Sequence, residues 1–378
     1  MTVILLCGAG LLVRTVLALN SADNGVDRHD LLTMEVSLSM ARYTPERRTL
    51  FYRNAVAALQ ALPGVTTAAA GNSLPVIGGP RGGTIFHRLG TPEKPQYEQP
   101  VATIRVVAPG YFHALGIPIL RGREFTEADD AGPAPGFVVN DAFVNAFLKD
   151  IDPLTARLTV WMQAENPYAP ILGVVADVSE GSVRRAAQPT VFYSNRQLSE
   201  TSMTLFLRAN RPGAQIAPAV AALRRLDPNL AVSRIQTFDD AIADSLARDR
   251  LSALVFGAFA LCALLLTALG LYGLLALRVT ERTKEIGVRI ALGAHVGQLV
   301  RRLVGEGLVL MGAGALVGVL GAALLLRAMR TLLFGVTPQD VTTYVGVIGV
   351  LFAVALLASY IPARRVARVE PLTALRQD

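Results

Sequence analysis

LSALVFGAFALCALLLTALGLYGLLAL, Leu251 to Leu277, contains no charged residue. It is longer than the roughly 20 apolar residues that cross a bilayer as a helix. Three other stretches share the character: VILLCGAGLLVRTVLAL (Val3–Leu19), LVGEGLVLMGAGALVGVLGAALLL (Leu303–Leu326) and TYVGVIGVLFAVALLASYI (Thr343–Ile361). Leu251–Leu277, Leu303–Leu326 and Thr343–Ile361 are too long and too apolar to read as buried soluble helices. Val3–Leu19 is shorter and carries Arg14, which lies near its end and is expected to snorkel to the interface. A signal peptide is the alternative for this stretch. ALNSA could serve as a cleavage site, but Met1-Thr2 supplies no positive n-region, and Cys7 is too close to the start for a lipoprotein cysteine.

Composition agrees with a membrane protein. Of 378 residues, 52% are hydrophobic and only 17% charged, and the mean hydropathy is +0.42. That excludes disorder, coiled coil and collagen. The net charge of +7 does not mark a nucleic-acid binder, because Asn20 to Arg250 holds 23 basic and 23 acidic residues. The excess lies in and beside the apolar stretches. Arg278, Arg282, Lys284, Arg289, Arg301 and Arg302 fall between the second and third spans, and Arg364, Arg365, Arg368 and Arg376 follow the fourth. The connection between the third and fourth spans has only Arg327 and Arg330. The positive-inside rule places the two basic segments in the cytoplasm, hence both termini inside and Asn20 to Arg250 outside. Both cysteines, Cys7 and Cys262, lie in apolar stretches, so the external region has no disulfide framework.

The external region reads as mixed α and β. Leu31–Leu38 alternates like a strand. A helix follows, with Thr44 as N-cap and Pro45 in its first turn, stopped at Pro63-Gly64. Leu74 to Pro100 is turn-rich. VATIRVVAPGYF is a strand broken at Pro109-Gly110, GFVVNDAFVNAFL a strand that turns into a helix at Asn140 or Asp141, and YAPILGVVADVS and SMTLFLRA further strands. GAQIAPAVAALRRLDPN is a helix, and FDDAIADSLARDR another whose pattern permits continuation into the second span.

Catalytic signatures are absent from the sequence: it has no GxxxxGK[ST], HExxH, CxxC or GxSxG. His29, His87, His113 and His295 are scattered, which argues against zinc. Gly78-Gly79 and Gly82-Gly83 read as a flexible loop. Asp129-Asp130 and Asp239-Asp240 read as solvated loop or helix-start residues. Neither a cofactor nor an enzymatic activity is expected.

RVTERTKEIGVRIALGAHVGQLVRRLVGEG, Arg278 to Gly307, is the informative cytoplasmic segment. Glu285 and Arg289 stand four apart in the favourable helical order, Ile286 and Ile290 share a face, and Gly293 can stop the helix. A short amphipathic helix is therefore presented at the inner membrane surface. The residues alone leave open whether it rests among headgroups or docks a cytoplasmic partner.

KEIGVRIALGA (Lys284–Ala294) resembles the hallmark of the FtsX-like, MacB-type permeases of ABC transporters. PARRVARVEPLTALR (Pro362–Arg376) is similar to the tail of that family, and APGYFHALGIPILRGREFTEADD (Ala108–Asp130), VVNDAFVNAF and ILGVVADV to its periplasmic core domain. The resemblance covers nearly the whole chain, which is similar to one half, the C-terminal half, of the duplicated orphan permeases. It departs from those halves in having almost nothing before its first span, which leaves a truncated gene product, a wrong start and a fragment as open readings.

What the resemblance implies is an α+β architecture: a four-helix transmembrane region with a large MacB-like periplasmic core domain inserted between the first and second spans. The divisions would be a first span (1–19), a core domain (20–250) and an FtsX-like permease region (251–378) with a coupling helix (281–302) and a cytoplasmic tail (362–378). It further implies residence in the bacterial inner membrane, a cytoplasmic ABC ATPase as partner, and a second permease half. Glu285, Ile286, Gly287, Arg289, Ile290, Ala291, Leu292, Gly293 and Ala294 would dock the ATPase. Gly270, Gly273, Gly314 and Gly318 are the candidates for close helix packing, since small residues let backbones approach. A membrane-anchored sensor or binding module without an ATPase is the rival reading; neither reading involves nucleic acid.

Overall fold

The structure is a computed structural model that describes residues 1–21, 24–78, 82–92, 94–130, 136–160, 168–179, 181, 186–281, 296–328 and 340–366. The chain divides into two compact units, Met1–Ser21 with Leu246–Asp378, and Ala22–Ser245.

Helix α1 (Thr2–Ser21) opens the first unit. The second unit begins with β1 (Leu31–Ser37), α2 (Pro45–Gln60) and β2 (Val65–Gly71). The Thr44 hydroxyl accepts the Arg47 amide, so the expected cap forms, with Pro45 in the first turn. There follow β3 (Gly83–Arg88), β4 (Val101–Val107), the one-turn α3 (Tyr111–Ala114), β5 (Ile119–Gly122), the one-turn α4 (Glu127–Asp130), β6 (Phe137–Asn140), α5 (Asp141–Phe147), β7 (Arg157–Val160), β8 (Ala169–Val175) and β9 (Thr190–Ser194). Last come β10 (Ser202–Ala209), α6 (Ile216–Leu226), β11 (Ala231–Thr237) and α7 (Phe238–Ser245). β3 lies within the stretch read as turns. Its short TIFH core sits between glycines and prolines that hide a strand from pattern reading.

Two halves share this sheet. In the first, the order β11-β1-β10-β2 places β10 between β1 and β2, and β1 between β10 and β11, with every neighbouring pair antiparallel. This is a split βαβ arrangement of the ferredoxin-like kind, β1-α2-β2 interleaved with β10-α6-β11. Residues 72–201 are inserted between its halves. One face packs on the helices: Leu32, Met34 and Val36, with Leu205 and Leu207, meet Tyr52, Ala55, Leu59, Ala219 and Leu223. Alternation along the strands sends Thr33, Glu35 and Thr204 to the other face.

In the second half, six strands close on themselves in the order β4-β3-β7-β8-β6-β9, and β9 returns to β4 in parallel. Closure pairs both edges of each of these strands. The interior is aromatic: Phe86 lies 4.8 Å from Phe143 and 4.9 Å from Phe147, and Phe137 5.2 Å from Tyr193, ring centre to ring centre. Asn140 ends β6 and caps α5, as its sequence position predicts. Its Oδ1 accepts the Phe143 amide (3.1 Å) and the Thr190 amide (2.8 Å), while Nδ2 donates to Asp177 (2.8 Å) and to the Gln188 carbonyl (2.9 Å). Asp129 is more than a solvated loop residue. It accepts two bonds from Arg123 and two from Thr126, and the Arg123 guanidinium above all draws its carboxyl down to about 2.

The first unit continues with α8 (Ala247–Glu281), α9 (Val296–Ala328) and α10 (Val341–Val366). α7 ends at Ser245 and α8 starts at Ala247, so the continuation that the sequence pattern permits is interrupted at Leu246. Among the described residues, Thr2–Leu19, Ala247–Arg278 and Val341–Tyr360 are helices long and apolar enough to cross a membrane. A shorter apolar stretch, Gly307–Ala322, lies within α9. Val3, Cys7 and Leu11 of α1 pack on Ala322, Val347 and Leu351, and Leu271 and Leu275 on Ala355 and Ala358. Leucines such as Leu254, Leu266, Leu316 and Leu357 remain more than 60% exposed, an apolar exterior suited to lipid.

Candidate functional site: the helix contacts of the apolar unit

Small residues set the close contacts of the first unit. A Cβ added to Gly307 in α9 would come within 2.5 Å of the Ser359 hydroxyl in α10 and 3.3 Å of a Leu275 methyl in α8. Three helices thus meet at one glycine, about three turns beyond the start of α9. Gly318 is held against Val3 of α1, where a Cβ would lie 2.6 Å from two of its carbons, and Gly321 faces Ile4 at 3.3 Å. Gly10 of α1 meets the Thr343 methyl of α10 at 3.0 Å. Of the four glycines singled out in the sequence, Gly318 therefore sits at a helix crossing within this chain. Gly270, Gly273 and Gly314 have no atom within 4 Å of a built Cβ and face open space. Gly307, Gly10 and Gly321 were missed because spacing alone does not say which side of a helix meets a neighbour. Gly305-Glu306-Gly307, two glycines just inside an apolar stretch, was the available signal.

Polar groups join α1 to its neighbours. Arg14 forms an ion pair with Asp340 and donates to the Thr342 hydroxyl, at the first turn of α10. Asp340 also accepts the Thr343 amide at 3.0 Å and so caps that helix. Arg14 is thus paired instead of simply snorkelling: a buried or interfacial cation gains from a carboxylate that is already fixed by a helix start. The hydroxyls of Thr2 and Thr267 lie 2.7 Å apart and tie α1 to the middle of α8.

Glu285, Ile286, Gly287, Arg289, Ile290, Ala291, Leu292, Gly293 and Ala294 all lie outside the described residues. Their flanks are described: α8 ends at Glu281 and α9 begins at Val296. The segment therefore connects two long helices whose contact through Leu275 and Gly307 lies about two to three turns inward of those helix ends. Among the described residues no cluster of His, Cys, Asp or Glu could hold a metal ion.

Two family models match the chain: the MacB-like periplasmic core domain over residues 2–226, and the FtsX-like permease C-terminal region over residues 257–371. The macrolide export ATP-binding/permease protein MacB 2 of Aeromonas hydrophila subsp. hydrophila is 26% identical over 308 residues, 77% of this chain and 46% of that protein. The pyoverdine export ATP-binding/permease protein PvdT of Pseudomonas fluorescens is 25% identical over 275 residues, 69% of this chain and 40% of that protein. The chain thus spans less than half the length of these relatives. Among solved structures, it is similar to the periplasmic region of MacB from Actinobacillus actinomycetemcomitans, with 13% identity over 61% of this chain and 97% of that one, and a TM-score of 0.39. One family model covers more than half of the chain and the other covers most of its three C-terminal helices, and the chain belongs to the FtsX-like permeases that carry a MacB-like periplasmic core domain.

Proposed function

We propose that this chain is the permease part of an ABC transporter, driven by ATP hydrolysis in a separate cytoplasmic ATPase. The coupling helix within 281–302 docks the ATPase through Glu285 to Ala294, and its movement reaches the external unit through the spans. The observation that carries this reading is the match of residues 257–371 to the FtsX-like permease region, which includes the whole docking segment. The packing of Gly307 against Leu275 and Ser359 supports it mechanically, because helices in close contact move together. In this reading 1–19, 251–277, 303–326 and 343–361 are four spans of the bacterial inner membrane, with both termini cytoplasmic. Residues 20–250 form the external domain, and a second permease half completes the transporter. The relatives are named as exporters of macrolides and of pyoverdine, so outward movement of a small molecule is the direction inferred.

Ile290→Asp tests the docking role. An aspartate in the apolar ridge formed by Ile286 and Ile290 would place an unpaired charge in the interface, at a cost of about 3–5 kcal/mol. Pull-down of the cognate ATPase and its ATP turnover with the permease should both fall sharply. Wild-type levels of both, with the variant folded and inserted, would show that the helix only rests on lipid.

A further inference from the structure

The face of the ferredoxin-like sheet not covered by α2 and α6 carries a groove of about 590 Å³, within the size range of small-molecule sites. Thr33 and Glu35 of β1 and Thr204 of β10 form its floor. The loop after β2, Ser73 to Gly78, makes one wall, and β11 with α7 makes the other.

Both walls hold backbone in a conformation that L-residues avoid. Only Asp30, Val76 and Arg234 among the described non-glycine residues have positive φ. Val76, at +69°, belongs to the first wall, and Arg234, at +48°, to the second. Val76 is β-branched and fully buried, a conformation that persists only when its surroundings enforce it. Arg234 sits where the β1–β11 register shifts, opposite the Thr33–Glu35 interval. Such bulges re-aim a side chain. Here the Arg234 Nε comes 3.6 Å from the Glu35 carboxylate while the side chain stays 80% exposed.

The groove is chemically specific as well. Arg234 offers a cation, Glu35 and Asp244 offer carboxylates, and Leu74 and Ile77 offer apolar surface. Ser73 is 6% exposed, and its hydroxyl has no hydrogen-bond partner among the described residues. A buried polar group without a partner is costly, and a ligand that pairs with it removes that cost. A dianion would meet two carboxylates, and a purely apolar molecule would strip water from three charges.

We propose that this groove binds a zwitterionic amino acid or short peptide with an apolar side chain. Arg234 takes the carboxylate, Asp244 and Glu35 take the ammonium, the Ser73 hydroxyl bonds a backbone-type polar atom, and Leu74 and Ile77 cover the side chain. The proposal does not depend on ATPase coupling.

The test is calorimetric titration of the full chain in detergent with the dipeptide alanyl-leucine, beside its N-acetylated and C-amidated forms. Saturable binding of the free dipeptide is expected. Arg234→Gln should weaken it about tenfold, the loss of one charge-assisted contact, and Asp244→Asn by a similar factor. The C-amidated form should bind the wild type about as weakly as the free dipeptide binds Arg234→Gln, and the same substitution should weaken it no further. The N-acetylated form should stand in that relation to Asp244→Asn. Arg225→Gln, on the outer side of α6, should change nothing. Arg234 and Asp244 are exposed, so circular dichroism should report unaltered folding. Lack of saturable binding by the free dipeptide would overturn the proposal, as would affinity indifferent to Arg234→Gln and Asp244→Asn.

Discussion

Gly318 and Gly314 have the same local sequence character and four-residue spacing, yet different surroundings. A side chain at 318 runs into Val3 of α1, whereas a side chain at 314 meets nothing within the chain. Gly318→Val should therefore overpack the α1–α9 crossing and destabilise the helix unit by about 1–3 kcal/mol. Gly314→Val should leave the stability of the isolated chain within about 0.5 kcal/mol. Thermal unfolding of both variants in the same detergent measures the contrast. If Gly314→Val also weakens crosslinking between copies, the open glycines serve a second permease half, as small residues at membrane interfaces do. Arg14 teaches the same lesson. Its snorkelling follows from position along α1, but its pairing follows from Asp340, which is 326 residues away.

At the scale of elements, the turn from β6 into α5 holds the closed ring together. Asn140 is 3% exposed and all of its side-chain bonds are met: two amides donate to Oδ1 and two oxygens accept from Nδ2. It caps α5 and fixes β9 through Thr190 in the same place. An ordinary N-cap contributes about 1 kcal/mol. Asn140→Ala leaves several buried groups unpaired and should cost more, about 3 kcal/mol. Chemical denaturation of the full chain, followed by tryptophan or far-UV signals, would read this. A loss of about 1 kcal/mol would mean that only the cap matters and that the Thr190 and Asp177 links are dispensable. Asx residues at a strand end are visible in the sequence, and the strand-to-helix change at Asn140 was read from it. The second role of the side chain, toward β9, depends on a strand 50 residues later.

At the scale of the whole molecule, the proposed four-span arrangement makes a testable statement about sidedness. With Cys7→Ala and Cys262→Ala removing the native thiols, a single cysteine at Asn54, exposed on α2, should react with an impermeant thiol reagent applied to intact cells. A cysteine at Thr283 should react only after the membrane is opened. Reaction of position 283 from outside would reject the arrangement, since six basic residues would then face the wrong side.

Hydropathy, charge and capping residues are local or nearly local properties, and the sequence by itself determined what depends on them. Uninterrupted apolar runs become helices because a membrane leaves backbone groups no other partner. Thr44, Asn140, Pro63-Gly64 and Gly110 punctuate their elements through bonds and torsions a few residues away. Family membership was also legible, because KEIGVRIALGA and the tail are contiguous motifs. Long-range pairing was decided only by the tertiary structure. Strands of four to eight residues carry too little pattern to reveal that β9 closes a ring on β4, or that β10 slots between β1 and β2. The bulge at Arg234 exists only because β11 must match β1 while shifting register. Which glycine meets a neighbouring helix, and which carboxylate answers Arg14, depend on surfaces brought together from distant parts of the chain, and no local periodicity encodes them.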